Sequence, residues 1–223
     1  MSTLLRVDAS IRLEGSVSRA LADSAEAAWR AEHPDGIVVR RDLGQHPLSA
    51  TVWPTLARAQ VLGQDAVTEE DRQALAEAQA VAAEVVAEVK NADAILLAIP
   101  LYNYGIAQHV KTWIDLLLID RDLVYGSQPL AGRPAIFALA RGGGYGPGTP
   151  KHGWDHATPY LERIFGDVFG MTIRTAAAEL TLAPVTPGME ELIDASKVSE
   201  SAAHVEAETH GTTVARELIG RAA

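Results

Sequence analysis

The chain has 223 residues with 29 acidic and 19 basic side chains, and this net charge of −10, without any run of Lys and Arg, disfavours binding to nucleic acid or to an anionic membrane. The absence of cysteine excludes disulfides, thiolate chemistry and cysteine-ligated zinc or iron–sulfur sites. The composition, 48% hydrophobic and 5% aromatic, predicts one α/β domain over residues 1–223, and the lack of a signal sequence or a long apolar span predicts a cytoplasmic protein.

The first part of the chain alternates predicted strands and helices. The short apolar run 3–7 predicts a strand, and apolar residues at helical spacing predict a helix from about Arg19 to Glu32. A His-Pro-Asp-Gly turn ends this helix, and residues 37–40 form a second predicted strand. These elements make one complete strand–helix–strand unit.

The middle of the chain contains its least regular stretch and its most apolar strand. Residues 43–65 include two prolines and are expected to form a long excursion with one short helix. A capping pattern at 68–71 predicts the start of an Ala-rich helix that runs to about Lys90. Residues 94–99 then predict a buried strand, followed by a helix that begins near Ala107.

The remaining elements repeat the same alternation. A variable segment, 116–132, precedes an apolar strand at 134–140 and a Gly-rich loop. A helix is expected over 154–169, a last strand over 171–180, and an acidic amphipathic helix over 188–220. Five strands that alternate with helices predict a doubly wound, five-stranded parallel sheet with helices on both faces.

The loop after the first strand has the chemistry of an anion site. Ser10, Ser16 and Ser18 supply hydroxyls directly before a helix, whose amino terminus favours a phosphate. The alternative is that Ser16 or Ser18 only caps the helix. No GxxxxGK[ST] sequence is present, so an ATP or GTP P-loop is not expected.

Two further loops follow predicted strands, and open α/β sheets bind ligands at such ends. Residues 100–105, Pro-Leu-Tyr-Asn-Tyr-Gly, offer an aromatic platform for a planar ring. Residues 141–148 are Gly-rich but fail the GxGxxG spacing, so they indicate close approach of main-chain amides to a ring edge, or else a flexible surface loop. Together the three loops favour a phosphorylated planar heterocycle such as flavin mononucleotide (FMN).

A family resemblance rests on four groups of residues. They are Ser10 with Ser16-Val17-Ser18, the block from Pro100 to Ile106 with Lys111-x-Trp113-Ile114-Asp115, Arg141-Gly142-Gly143, and Pro159-Tyr160-Leu161 followed by Phe165-Gly166 and Phe169-Gly170-Met171-Thr172. On these residues the sequence resembles the flavodoxin-like FMN-dependent NADH-azoreductases, which are also NAD(P)H:quinone oxidoreductases. The matches extend over nearly the whole chain.

The resemblance implies a flavodoxin-like fold, an FMN cofactor and a role for twelve residues in binding it. Those cofactor residues are Ser10, Ser16, Val17, Ser18, Leu101, Tyr102, Asn103, Tyr104, Ala140, Arg141, Gly142 and Gly143. It further implies a homodimer with each active site at the subunit interface. It also implies ping-pong transfer of two electrons, as a hydride, from NADH or NADPH to quinones, with reductive cleavage of azo compounds as a second activity.

In such an enzyme the flavin carries the chemistry, so the sequence predicts no general acid, base or nucleophile. Asn103 or a neighbouring main-chain amide is the expected contact to the reducible end of the flavin. Three aromatic residues are candidates for contact with the acceptor: Tyr145, Tyr125 and Trp53. Tyr125 and Trp53 lie in irregular segments, and a plain surface position is an equal alternative for both.

Several other side chains have a structural interpretation. Trp29 and Trp113, at helical spacing from apolar residues, are expected in the core. The seven histidines show no HExxH spacing, so no metal site is predicted. The segment after Leu118 departs from the family pattern, which leaves the acceptor open.

Two functions from different classes are consistent with these features. The first is an NAD(P)H-dependent flavoenzyme that reduces quinones. The second is a non-catalytic FMN module that shuttles electrons with a protein partner. The long excursion at 43–65 favours the enzyme, because an electron carrier gains little from it.

Overall fold

The computed structural model describes residues 1–62 and 69–222 of the chain, and a parallel sheet is at its centre. The five strands are β1 (Thr3–Asp8), β2 (Ile37–Asp42), β3 (Ala94–Pro100), β4 (Pro134–Ala140) and β5 (Thr172–Ala178). They lie in the order β2-β1-β3-β4-β5, and every neighbouring pair is parallel. The prediction of a doubly wound, five-stranded α/β sheet is therefore confirmed.

The inner strands β3 and β4 are buried along their whole length, which explains their nearly continuous apolar sequences AILLAIP and PAIFALA. Alternate residues of β3 enter two different cores, because successive side chains of a strand point to opposite faces. Leu96 packs with Leu21 and Trp29 on one face, whereas Leu97 packs with Trp113 and Phe165 on the other. The core positions predicted for Trp29 and Trp113 are confirmed, since both are fully buried.

Seven α-helices are described around the sheet. They are α1 (Val17–Glu32), α2 (Val52–Leu62), α3 (Glu69–Asn91), α4 (Gln108–Leu117), α5 (Arg121–Val124), α6 (Thr158–Leu161) and α7 (Ile193–Ala222). α1 and α7 contribute side chains to one core, and α3 and α4 contribute to the other. Helices therefore cover both faces, as predicted.

The long excursion differs from the expectation, because most of its described part is the helix α2. Trp53 is thus helical rather than irregular, and Pro54 is tolerated since it lies in the first turn, where no intrahelical N–H partner is needed. The capping pattern expected at 68–71 lies partly outside the described residues. No described helix combines the length and the apolarity needed to cross a membrane.

The helix expected to begin at Trp154 begins four residues later. The Asp155 carboxylate accepts hydrogen bonds from the amides of Ala157 and Thr158, both at 2.9 Å. These bonds hold residues 155–157 in a turn, so α6 begins only at Thr158. Beyond Leu161 the segment continues as a π-helix, Glu162–Val168. The last predicted helix begins at Ile193, after two short 3₁₀ turns.

Candidate cofactor and active site

The serine-rich loop between β1 and α1 presents buried hydroxyls at the amino terminus of the helix. Ser10, Ser16 and Ser18 are 2%, 8% and 0% exposed. Ser16 is the N-cap, and its Oγ lies 3.5 Å from both the amide of Arg19 and the Oγ of Ser18. In the described part of the chain, the amides of Val17 and Ser18 have no acceptor. Free amides, hydroxyls and the positive end of a helix form a site for an anion.

The backbone of this loop is fixed from the side of β2. The Arg19 guanidinium donates to the Ser10 carbonyl at 2.7 Å and to both carboxylate oxygens of Asp42 at 2.8 Å. Burial tends to raise the pKa of Asp42, but hydrogen bonds from Arg19 and from the Gln45 amide outweigh it and hold that pKa below its ordinary value. A Cβ at Gly44 would lie only 2.1 Å from the Ser10 oxygen, so only glycine fits here.

The aromatic loop after β3 is a two-residue hairpin. Tyr102 and Gly105 exchange two main-chain hydrogen bonds, of 3.1 and 2.9 Å, across Asn103 and Tyr104. Both central residues have positive φ, 49° and 65°, as a type I′ turn requires. For a tyrosine this left-handed conformation costs about 1–2 kcal/mol, and such strain is concentrated at functional sites.

Hydrogen bonds connect the aromatic loop to its two neighbours. The Leu101 amide donates to the Ala140 carbonyl at 2.8 Å, which fixes the loop against the end of β4. The Tyr102 hydroxyl accepts from the Ile11 amide at 3.3 Å, which connects it to the serine-rich loop. The three predicted loops therefore meet at one edge of the sheet.

The Gly-rich loop after β4 is closed by residues that follow β5. The amides of Thr181 and Leu182 donate to the carbonyls of Arg141 and Gly142 at 3.1 and 3.2 Å. A Cβ at Gly142 would meet the Leu182 side chain at 2.6 Å. The amide of buried Gly143 has no acceptor among the described residues, which is uncommon for a buried N–H and indicates a missing partner.

The Arg141 side chain is occupied by protein groups rather than directed to a ligand. Its nitrogens lie 2.9 Å from Asp155, 3.1 Å from Glu179 and 2.9 Å from the Thr158 hydroxyl. Burial tends to raise the pKa of Asp155, but hydrogen bonds from Thr158 and the charge of Arg141 hold it below its ordinary value. Arg141 therefore fixes the loop, and its main chain is the part available to a cofactor.

Eight of the twelve predicted cofactor residues line a single cavity of about 130 Å³. They are Ser10, Ser16, Val17, Ser18, Leu101, Tyr102, Ala140 and Gly142. Four residues outside the predicted cofactor set also line it, namely Arg12, Pro100, Thr181 and Leu182. Arg12 had a local signal, a cation within the serine-rich loop, whereas no local pattern marks Thr181 or Leu182.

A wider groove of about 630 Å³ shares Tyr102 with this cavity and includes the predicted residue Asn103. Its wall also contains His109, whose Nε2 lies 2.7 Å from the Ala9 carbonyl. The histidine therefore connects α4 to the end of β1, a contact that sequence reasoning missed. The cavity and the groove therefore adjoin each other at Tyr102.

The other candidates lie beside these spaces or away from them. Tyr104, Gly143 and Tyr145 surround the ammonium group of Lys151. Trp53 and Tyr125 are 43% and 85% exposed and line neither space. Within residues 1–62 and 69–222, no cluster of three His, Asp or Glu side chains could hold a metal ion.

These residues fit FMN on structural grounds. The helix terminus with its buried serines suits a phosphate monoester. The unpaired amide of Gly143 suits a polar atom at the edge of a flat ring, and Gly142 beside it lines the cavity. The strand order also reverses between β1 and β3, which is where doubly wound sheets bind their ligands.

Known proteins resemble this chain over nearly its whole length. The family profile described as a flavodoxin-like fold matches residues 2–197. Two proteins named FMN-dependent NADH:quinone oxidoreductase are similar: one from Frankia casuarinae is 37% identical over 206 residues, 91% of this chain and 95% of that protein. The other, from Streptomyces avermitilis, is 34% identical over 224 residues, 99% of both chains. The crystal structure of an azoreductase from Bacillus anthracis has a TM-score of 0.73 and 27% identity, covering 96% of this chain and 100% of that one.

Proposed function

Because this chain belongs to the flavodoxin-like family of FMN-dependent NADH:quinone oxidoreductases, we propose that it binds FMN and reduces quinones with electrons from NADH. The observation that carries the proposal is the convergence of three loops on one cavity, with an open groove beside it. The whole chain would form one FMN-binding domain.

The serine-rich loop would hold the phosphate. Ser10, Ser16 and Ser18 place hydroxyls around the cavity, and the amides of Val17 and Ser18 are free to donate. Hydrogen bonds to a charged acceptor are about twice as strong as neutral ones, so this loop would supply much of the cofactor affinity. Arg19 and Gly44 keep the Ser10 backbone in position.

The ring would lie between the aromatic loop and the Gly-rich loop. Leu101 and Tyr102 line the cavity from one side, and Ala140 and Gly142 line it from the other. The unpaired amide of Gly143 would donate to a polar atom at the ring edge. When bound, FMN accepts a hydride from NADH and passes it on to the quinone.

The groove beside the cavity would receive the nicotinamide and the quinone in turn, as a ping-pong reaction requires. Asn103 lies in this groove on a strained turn that sets the direction of its backbone. Its carboxamide or main-chain amide would donate to the ring where negative charge develops. His109 is engaged by the Ala9 carbonyl, so we assign it a positioning role rather than proton transfer.

We further propose a cytoplasmic homodimer with its active sites at the subunit interface. Ile11 and Leu13 are 62% and 65% exposed in the loop that borders the cavity, and Tyr125 is 85% exposed. Exposed apolar side chains next to a binding site favour a protein–protein contact. A partner subunit would then cover the groove, and Tyr125, Tyr145 or Trp53 would contact the acceptor. Azo compounds are the second acceptor class that we propose.

Anaerobic mixing tests the proposed function directly. The purified protein should be yellow, NADH should bleach it, and benzoquinone should restore the colour with continuous turnover when both are supplied. An FMN module that only shuttles electrons with a protein partner would bind the flavin without such turnover. Failure of NADH to bleach the bound flavin would reject the enzyme assignment.

A further inference from the structure

Lys151 occupies an unusual position in the turn after the Gly-rich loop. Its ammonium nitrogen lies 5.7 Å from the ring centroids of both Tyr104 and Tyr145. A Cβ placed on Gly143 would meet that same nitrogen at 3.3 Å. The cation is thus held by two aromatic faces, a favourable arrangement, against the residue whose buried amide has no partner.

No group in the described part of the chain neutralises this charge. Lys151 forms no ion pair there, and the carboxylates of Asp155 and Glu179, which border the Gly-rich loop, are already paired with Arg141. Burial and neighbouring negative groups raise the pKa of Tyr145, so its phenol stays protonated and offers only its ring face. In a protein with a net charge of −10, this half-buried cation without a counter-ion is available to an anionic group bound beside it.

The proposed function supplies a group of the required charge. A hydride carries a proton and two electrons, so its transfer turns NADH into NAD⁺ and gives the neutral ring one negative charge. We infer that Lys151 stabilises this negative charge and thereby raises the reduction potential of the bound FMN. The inference rests on the proposed function, in which the Gly143 amide donates to the ring edge. It assigns to Lys151 a role in tuning the cofactor.

The test compares the two-electron midpoint potential of bound FMN in the wild-type protein and in Lys151→Met, which keeps an apolar stem but removes the charge. We expect the variant to bind reduced FMN about tenfold more weakly relative to oxidised FMN, a shift of about −30 mV for a two-electron couple. The dissociation constant of oxidised FMN should change by less than about threefold, because the uncharged ring attracts a cation only weakly.

Two further variants control this measurement. Lys151→Arg keeps the charge and should restore the potential. Lys90→Met removes an ammonium from the end of α3, at the opposite edge of the sheet, and should leave the potential unchanged. Lys151→Gln provides an alternative charge removal if Lys151→Met is poorly folded.

Equal potentials in the wild type and Lys151→Met would overturn the inference, as would an equal shift in Lys90→Met. A selective rise in the KM of negatively charged quinones at constant potential would overturn it too, since Lys151 would then bind the acceptor. If the wild-type protein bound no FMN, or NADH did not reduce it, the proposed function itself would fail. Failure of the inference about Lys151 can thus be distinguished from failure of the proposed function.

Discussion

Gly44 provides the sharpest test of how the phosphate site is built. It follows β2 and lies against the Ser10 carbonyl. Ser10 lines the cavity but Gly44 does not, so a substitution at Gly44 can affect the ligand only by moving Ser10. In Gly44→Ala the new Cβ would lie 2.1 Å from the Ser10 oxygen and 3.1 Å from an Arg19 nitrogen. The serine-rich loop must therefore move by roughly 1 Å or more to reach a normal van der Waals separation.

The expected cost follows from the contacts that this movement disturbs. Overpacking of a tight site costs about 1–3 kcal/mol, and weakening the 2.7 Å hydrogen bond from the Arg19 guanidinium to Ser10 adds about 1 kcal/mol. We therefore expect the free energy of unfolding to fall by about 2–4 kcal/mol. Displacing the Ser10 hydroxyl from the phosphate should raise the dissociation constant of FMN by about tenfold or more.

The apoprotein can be titrated with FMN and with riboflavin while flavin fluorescence is monitored. Comparison of the two dissociation constants isolates the contribution of the phosphate to cofactor affinity. Riboflavin has no phosphate, so its dissociation constant should change by less than about threefold. Gly220→Ala is a matched control, because it adds the same methyl group in α7 where nothing lies within 4 Å. This control should be neutral or stabilise the helix by up to about 1 kcal/mol.

The reasoning would be refuted by either of two results. One is an unchanged FMN affinity in Gly44→Ala alongside a lowered melting temperature, which would show that the position of the Ser10 backbone does not affect phosphate binding. The other is an equal loss of affinity for FMN and riboflavin, which would place the damage at the ring.

Three other substitutions and one acid titration test the remaining assignments. Ser18→Ala removes a fully buried hydroxyl and should weaken FMN about tenfold while sparing riboflavin, measured by the same titration. Asn103→Gly keeps the backbone at a φ of 49° without the carboxamide, so FMN should still bind while its reduction by NADH slows about tenfold or more in stopped-flow experiments. An unchanged rate would exclude the carboxamide. Because hydrogen bonds from Arg19 hold the pKa of Asp42 below its ordinary value, their ion pair stabilises the fold at neutral pH and loses this effect as the pH falls through the lowered pKa. Urea unfolding at pH 7 and pH 3 should therefore show a smaller loss on acidification for Asp42→Asn than for the wild type, and equal losses would contradict the assignment. Leu13→Glu should halve the mass seen in sedimentation if the exposed Leu13 lies in the proposed dimer face, whereas an unchanged mass places the interface elsewhere.

Local patterns in the sequence predicted the strands well. β3 and β4 are apolar at nearly every position because they are buried on both faces, and their predicted bounds agree with the structure to within one residue. The edge strands β2 and β5 are more exposed, and their predicted ends differ by one or two residues. A strand buried on both faces therefore has a more continuous apolar sequence, which predicts its ends more accurately than the sequence of an edge strand does.

The helices show where local patterns are insufficient. The 43–65 excursion lacks clean periodicity because α2 is largely exposed, so its helix could not be bounded from apolar spacing. The start of α6 depends on the Asp155 carboxylate, which bonds to two amides and also pairs with Arg141. That ion pair joins residues on different elements, and the sequence carries no sign of it.

The sequence by itself determined that loops after β1, β3 and β4 meet at one edge, because parallel strands bring their carboxyl ends together. It also determined the chemistry of those loops, since serines before a helix suit a phosphate whatever surrounds them. Only the tertiary structure decided that Leu182 closes the cavity, that the Arg141 side chain is already paired, and that Lys151 lies between two tyrosine rings. The physical reason is that these contacts are made between segments distant in the chain, and their geometry depends on packing rather than on local preference.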